Sequence, residues 1–147
     1  MKIALRLVAP TDAALLAALH KQGFHEAWDE RAFTTLMATP GIFGVLAGTT
    51  QPLGFILCRK AADEAEVLTL MVPEVYRRHG IATALMDRAA ETAQADKVAA
   101  LFLEVADDND AARAFYAARG FVEIGRRPRY YNAKVDALMM KRKLISD

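Results

Sequence analysis

The chain has almost no cysteine and no surplus charge of either sign. Cys58 is the only cysteine in 147 residues, so no intrachain disulfide and no cysteine zinc cluster can form, and a reducing cytoplasm fits best. Nineteen Lys and Arg stand against eighteen Asp and Glu, a formal net charge of +1. That balance supplies no global field toward nucleic acid or an anionic membrane, so neither is expected as a partner. No run approaches the roughly 20 apolar residues of a membrane span. The opening MKIALRLVAP is too short in its apolar part for a secretory leader, is broken by Arg6 and has no small-residue cleavage pattern. His20 and His25 lack the spacing of metal ligands, and no metal is expected. There is no internal repeat, linker or low-complexity tract. What remains is 54% hydrophobic with a quarter of its residues charged, the composition of one globular domain over residues 1–147 with a sizeable core.

Turn signals and periodicity set the element order. Ile3 to Val8 alternates as a first strand, Pro10-Thr11-Asp12 stops it and offers a helix cap, and Ala13 to Lys21 carries a leucine stripe at 15, 16 and 19 that Gly23 closes. Asp29 caps a second helix through about Thr39, with Phe33, Leu36 and Met37 inward. Ile42 to Ala47 and Leu53 to Arg59 form a hairpin. A strand ending at Pro73 follows, then a loop, a long helix from Gly80, the strand Ala100 to Ala106 and a helix that Gly120 ends. Phe121 to Gly125 and Val135 to Leu144 close the chain as strands, with Arg126 to Asn132 between them. The fold class is mixed α/β.

One stretch of the chain carries chemistry openly. The apolar run Val67 to Val72 stops at Pro73, and a loop with Arg77, Arg78 and His79 empties through Gly80 into an alanine-rich helix. The first N–H groups of a helix lack intrahelical partners, and the macrodipole adds positive charge there. Two arginines strengthen the attraction, and Gly80 with Ala82 keeps bulk away from the amides, so the loop reads as a pyrophosphate cradle. It has neither the Gly-Lys-Ser/Thr ending of a Walker loop nor the three spaced glycines of a dinucleotide fold.

Arg77-Arg78-His79-Gly80-Ile81-Ala82 resembles the Arg/Gln-x-x-Gly-x-Gly/Ala signature of the GCN5-related N-acetyltransferase (GNAT) family. Asn109, Tyr116 and Gly120-Phe121 follow in that family's order. The resemblance implies a mostly antiparallel sheet with splayed parallel strands four and five, and acetyl-CoA as cosubstrate. Its pyrophosphate would be held by Arg77 to Thr83, its pantetheine by Asn109 and strand four near Leu70, Met71 and Val72. Within the family the chain is most similar to the bacterial ribosomal-protein-alanine N-acetyltransferases, through Trp28 to Phe33, Asp63-Glu64-Ala65, Leu103-Glu104-Val105 and Arg127 to Tyr131. This likeness runs from Phe24 to Leu144 and implies a protein or peptide N-terminus as acceptor, met by Trp28, Tyr130 and Tyr131. Two positions depart from the subgroup: Asp29 replaces its usual Ser or Thr, and Asn132-Ala133-Lys134 replaces a longer turn beside the acceptor groove.

Acetyl transfer from a thioester needs a neutral amine, a stabilised oxyanion and a proton for the leaving thiolate. An α-amine, with a reference pKa of about 7.7 to 8, is about a tenth neutral at pH 7, whereas a lysine is neutral roughly once in 2,500 molecules. One carboxylate therefore suffices as base for an α-amine. Glu104 interrupts an apolar strand near its C-terminal end, where α/β sites lie, and is the candidate base; partial desolvation is expected to strengthen it. Its bland alternative is a solvent-facing Glu on a one-sided sheet. Phe115 and Tyr116 point about 100° apart on a helix; Phe115 suits the core, which leaves Tyr116 for the cleft as candidate acid beside Asn109 and Gly120-Phe121, its bland alternative being a core aromatic whose hydroxyl meets a backbone carbonyl. The oxyanion would take a backbone N–H near Leu70 to Val72. Direct transfer is expected, since no motif holds a cysteine. Two rivals stand: the same fold acting on a small amine or a lysine side chain, and a non-catalytic acyl-CoA-binding module.

Overall fold

The computed structural model describes residues 2–24, 26–131 and 135–145, with the side chains of 129–131 outside that description. The elements are β1 (Leu5–Leu7), α1 (Ala13–Lys21), α2 (Glu30–Met37), β2 (Ile42–Ala47), β3 (Gly54–Ala61), β4 (Glu64–Met71), α3 (Ile81–Ala95), β5 (Ala100–Ala106), α4 (Asp110–Ala118), β6 (Val122–Tyr131) and β7 (Val135–Lys143). The mixed α/β order matches the expected one. All seven strands join one sheet in the order β1-β2-β3-β4-β5-β7-β6, and only β4 and β5 run parallel.

Alternation along β3 divides the core between the two faces of the sheet. Ile56 and Cys58 pack with Leu85, Met86 and Ala89 of α3, while Phe55 and Leu57 pack with Leu16 and Leu19 of α1 and Phe33 of α2. Each of these side chains is buried, worth about 1.5–3 kcal/mol for a large apolar side chain. The second cluster draws its strand residues from β2, β3 and β4 only. On that face β5 and β7 present the half-buried Phe102, Glu104, Met139 and Lys141, and Lys141 Nζ lies 5.6 Å from the centroid of the Phe102 ring.

Asp29 caps α2 as its position suggested, its Oδ1 accepting from Ala32 N–H at 2.8 Å. Asp12 does not cap α1. Its carboxylate accepts two hydrogen bonds from Arg6, both 2.8 Å, and one from Ala9 N–H at 2.7 Å. The chain turns through a short 3₁₀ segment at Pro10–Asp12, and that bend returns Asp12 to the guanidinium on β1. A pairing made through a bend is invisible to a local cap signal. The Arg6 hydrogen bond, followed by the Ala9 N–H and the Arg6 charge, holds the Asp12 carboxyl below the ordinary carboxylate range against its own desolvation. A depressed carboxylate contributes stability that is complete above its unfolded value, about 3.9, and is lost as pH falls through the folded value. Asp12→Ala is accordingly expected to cost about 1–2 kcal/mol at pH 7, a figure discounted because Arg6 is half exposed. Urea unfolding at pH 7 and pH 3 checks this: the gap between the variant and the parent chain should shrink at the lower pH.

β1 is shorter than the expected Ile3 to Val8, although Val8 N–H to Gly44 O and Gly48 N–H to Ala4 O, each 2.9 Å, extend the pairing on both sides. β6 is longer than expected. Arg126 and Arg127 sit in register with Leu138 and Ala137 of β7, so the segment read as a connection is strand. Charge is no obstacle to this, because Arg126 meets Asp107 and Asp136 at 2.8 and 2.7 Å and Arg127 meets Glu104 at 2.8 Å. The ladder shifts between Arg127 and Tyr131, across Pro128, which has no N–H to give. Residues 132–134 lie outside the described residues.

Two irregularities of β4 position everything that follows. Its parallel register with β5 pairs Glu64, Ala65 and Glu66 with Ala100, Leu101 and Phe102 and then stops, though β4 continues to Met71 and β5 to Ala106. The two strands splay. Against β3, Cys58 pairs with Val67 but Leu57 pairs with Thr69, so Leu68 is the extra residue of a β-bulge, which bends a strand and re-aims its side chains.

Candidate active site

The splay opens a cleft of about 390 Å³ whose walls are Val67 to Leu70 of β4, Leu103 to Ala106 of β5, Asn109, Ala112 and Tyr116 of α4, and Phe24. Glu104 and Tyr116, expected as base and acid, both line it. The Glu104 side chain is a quarter exposed and pairs with Arg127 at 2.8 Å. Tyr116 is half-buried, its ring 5.5 Å from that of Phe115 and 5.8 Å from that of Phe121. Asn109 is the N-cap of α4, its Oδ1 accepting from Ala112 N–H at 3.2 Å, which turns the helix start toward the cleft.

Next to the cleft lies the anion loop. A pocket of about 190 Å³ is lined by Val72, Tyr76, Arg77, Arg78, Gly80, Ile81, Ala82, Thr83 and Phe115. Gly80 precedes α3 with φ +79°, and Arg78, two residues earlier, is also left-handed at φ +68°. Such a turn makes a concavity of N–H groups suited to an anion. A Cβ built on Gly80 would meet nothing within 4 Å, so it is the positive φ and not crowding that favours glycine there. Arg77 Nε donates to Val72 O at 3.0 Å, fastening the loop to the end of β4. His79 is exposed and does not line the pocket.

The two cavities are connected by residue pairs. Phe115 lines the loop pocket and Tyr116 the cleft, so Phe115, expected in the core, is instead a half-buried wall of the anion site. The 100° step between neighbouring helical residues does separate them, Phe115 toward the loop pocket and Tyr116 toward the cleft. On β4, Leu70 lines the cleft and Val72 the loop pocket, while Met71 is buried against the α1 face. Cys58 lies in the core, where burial pushes its thiol up to about 12; a protonated, inaccessible thiol cannot carry an acyl group.

On the other side of Phe24 is the connection between α1 and α2. Trp28 borders a groove of about 640 Å³ along α2 with Arg31, Thr35, Leu36, Arg59 and Leu68, and Leu68 also lines the cleft. His20 is buried at 3% exposure, and its Nδ1 accepts from Trp28 N–H at 3.0 Å. Burial holds this imidazole below the ordinary histidine range, which keeps the accepting lone pair available at neutral pH. The side chains of Tyr130 and Tyr131, expected over the acceptor, lie outside the described residues. Among the described residues no group of three or more His, Cys, Asp or Glu could hold a metal ion, and no helix is long and apolar enough to cross a membrane.

Sequence reasoning had no means to find Phe24, His20, Arg127 as a partner of Glu104, or the bulge at Leu68. Only the bulge left a trace, in that Val67-Leu68-Thr69-Leu70 does not alternate cleanly. Thr69 is buried at 7%, with a hydroxyl that has no hydrogen-bond partner.

The splayed parallel strands β4 and β5 and the loop that opens α3 through a left-handed glycine are the features that the resemblance to the N-acetyltransferases implied. The chain belongs to the acetyltransferase (GNAT) family, whose sequence model matches residues 12–121. It is 35% identical over 140 residues to the N-alpha-acetyltransferase RimI of Mycobacterium tuberculosis, covering 89% of this chain and 86% of that protein. In structure it is similar to the ribosomal-protein-S18-alanine N-acetyltransferase of Escherichia coli, with a TM-score of 0.91, 23% identity and coverage of 99% and 96%. NAA60 of Arabidopsis thaliana in complex with acetyl-CoA superposes with a TM-score of 0.81 at 21% identity, covering 97% and 98%. The chain spans 40% of the length of an uncharacterized Mycobacterium leprae protein to which it is 34% identical over 148 residues.

Proposed function

We propose that this chain transfers the acetyl group of acetyl-CoA to the N-terminal α-amine of a protein, the alanine terminus of a small-subunit ribosomal protein being the favoured acceptor, in a cytoplasmic setting. The observation that carries the reading is the cleft between β4 and β5, which places Glu104 and Tyr116 in one cavity adjoining the anion loop. Arg78 and the amides around Gly80 would bind the pyrophosphate, and the loop pocket passes by Phe115 into the cleft. There the amine nitrogen adds to the carbonyl carbon, the C=O electrons moving to oxygen, and collapse of that tetrahedral oxyanion then breaks the C–S bond. Glu104 takes the proton from nitrogen and Tyr116 gives one to sulfur. A backbone N–H of β4 near Leu70 to Val72 would face the developing oxyanion. The acetyl-CoA bound by NAA60 and the N-alpha-acetyltransferase name of the mycobacterial relative support the same donor and acceptor class.

Released thiol, measured with acetyl-CoA and a panel of amines, tests the proposal. Peptides beginning with alanine, the ribosomal-protein terminus among them, should be turned over faster than polyamines or internal-lysine peptides. Thiol release with polyamines or lysine peptides and none with alanine termini would reject it in favour of a small-amine or lysine enzyme. Acetyl-CoA binding without any turnover would mark a binding module.

A further inference from the structure

The α1–α2 connection is fastened through one side chain. His20, in the last turn of α1, stacks on Phe24 with ring centroids 4.2 Å apart and an interplanar angle of 16°, and on Trp28 at 4.9 Å and 19°. It meets Phe33 of α2 edge-on at 5.5 Å. Its Nδ1 accepts from Trp28 N–H at 3.0 Å, and its carbonyl accepts from the N–H groups of Gly23 and Phe24 at 3.2 and 3.1 Å. The two residues it stacks on share a hollow of about 700 Å³ against α1, and each also borders a cavity the other does not reach: Phe24 walls the cleft of Glu104 and Tyr116, and Trp28 walls the groove along α2. Phe24 and Trp28 are 41% and 37% exposed, so their placement depends on what lies beneath them.

We propose that His20 is a positioning residue for the acceptor, locking Phe24 and Trp28 into one wall that runs from the reaction cleft to the α2 groove. This rests on the reading of Trp28 as an acceptor contact. The Nδ1 acceptor fixes the Trp28 backbone, and the ring fills the space between Phe24 and Trp28; the hydrogen bond sets the spacing. An apolar replacement leaves the Trp28 N–H without its partner and removes one or both stacks, and the wall loses its fixed spacing. The anion loop shares no residue with this cluster, so the grip on the donor's pyrophosphate should be retained.

The test compares His20→Leu, His20→Asn and the parent chain, using the amine that the parent chain turns over fastest as acceptor. Trp28 is the only tryptophan, so intrinsic emission reports directly on the wall. His20→Leu should shift that emission to the red and raise the acceptor KM about tenfold, the factor expected for one lost buried hydrogen bond. The kcat and the acetyl-CoA KM should stay within about twofold of the parent chain, rates being normalised to acetyl-CoA binding sites so that unfolded protein does not count. His20→Asn carries an amide oxygen close to the place of Nδ1 and should recover most of the acceptor KM. Unchanged emission and acceptor KM in His20→Leu, or equal damage to kcat and to both KM values, would overturn the proposal, as would failure of Asn to restore what Leu removes. If the preferred acceptor is a polyamine or a lysine peptide, the N-terminal reading fails while the role of His20 is decided by the same comparison.

Discussion

Tyr116→Phe is expected to lower kcat by about 10²- to 10⁴-fold, the contribution typical of a positioned general acid, while the acetyl-CoA KM stays within about twofold. The substitution removes one oxygen and nothing else. Tyr116 is half-buried on α4 between the rings of Phe115 and Phe121, so a phenyl ring keeps the packing and the rotamer. The Asn109 cap of α4 lies two turns away and is untouched. The loop proposed to hold the donor's pyrophosphate is met by Phe115, not Tyr116, and acetyl-CoA affinity should be retained. Thermal unfolding of the variant beside single-turnover kinetics separates loss of chemistry from loss of fold. An unchanged single-turnover rate would remove Tyr116 from the mechanism and leave the thiolate to be protonated by water.

The anion loop and the order of elements could be read from sequence because both are local. Gly80 before an alanine-rich helix, Asp29 four residues before Phe33, and Glu104 within an apolar strand each announce themselves within a few positions. The features that turn those elements into a site are long-range. Nothing near Asp12 indicates that Arg6 will take its carboxylate, and nothing near Glu104 indicates that Arg127 will reach it from β6. The splay of β4 from β5 came only through family resemblance; three paired positions followed by divergence leave no compositional mark. Phe115 shows the limit of angular reasoning. The step between neighbours on a helix separated it from Tyr116, but which face is core depends on where β4 and β5 diverge. Where charge is neutralised by partners on neighbouring strands, as for Arg126 and Arg127, a polar segment becomes strand, and local polarity misreads it as a connection.

Glu104→Gln is expected to lower kcat at pH 7 by about 10²-fold, at the modest end for a general base, with acetyl-CoA binding intact. Glutamine has the volume of glutamate, and its amide oxygen can still accept from Arg127, so the link between β5 and β6 persists and only the charge is lost. The dependence on pH then identifies the acceptor as well as the base. For an α-amine with a pKa of about 7.7 to 8, the neutral fraction rises from about a tenth at pH 7 to nearly all by pH 9. An amine that is already neutral still has a proton to lose after attack, but no longer needs one removed beforehand. The deficit of Glu104→Gln should therefore narrow between pH 7 and 9 if the acceptor is a protein N-terminus. A lysine, with a pKa of about 10.4, remains charged across that range, and its deficit should stay nearly constant. Rate profiles of the parent chain and the variant over pH 6.5–9.5, with an alanine-terminated peptide and with a lysine peptide blocked at its N-terminus, distinguish these outcomes. Equal rates at pH 7 would show that the carboxylate serves only to hold Arg127, and a constant deficit with the peptide would mean that Glu104 acts after attack, on the proton of the tetrahedral intermediate, with the free amine selected from solution.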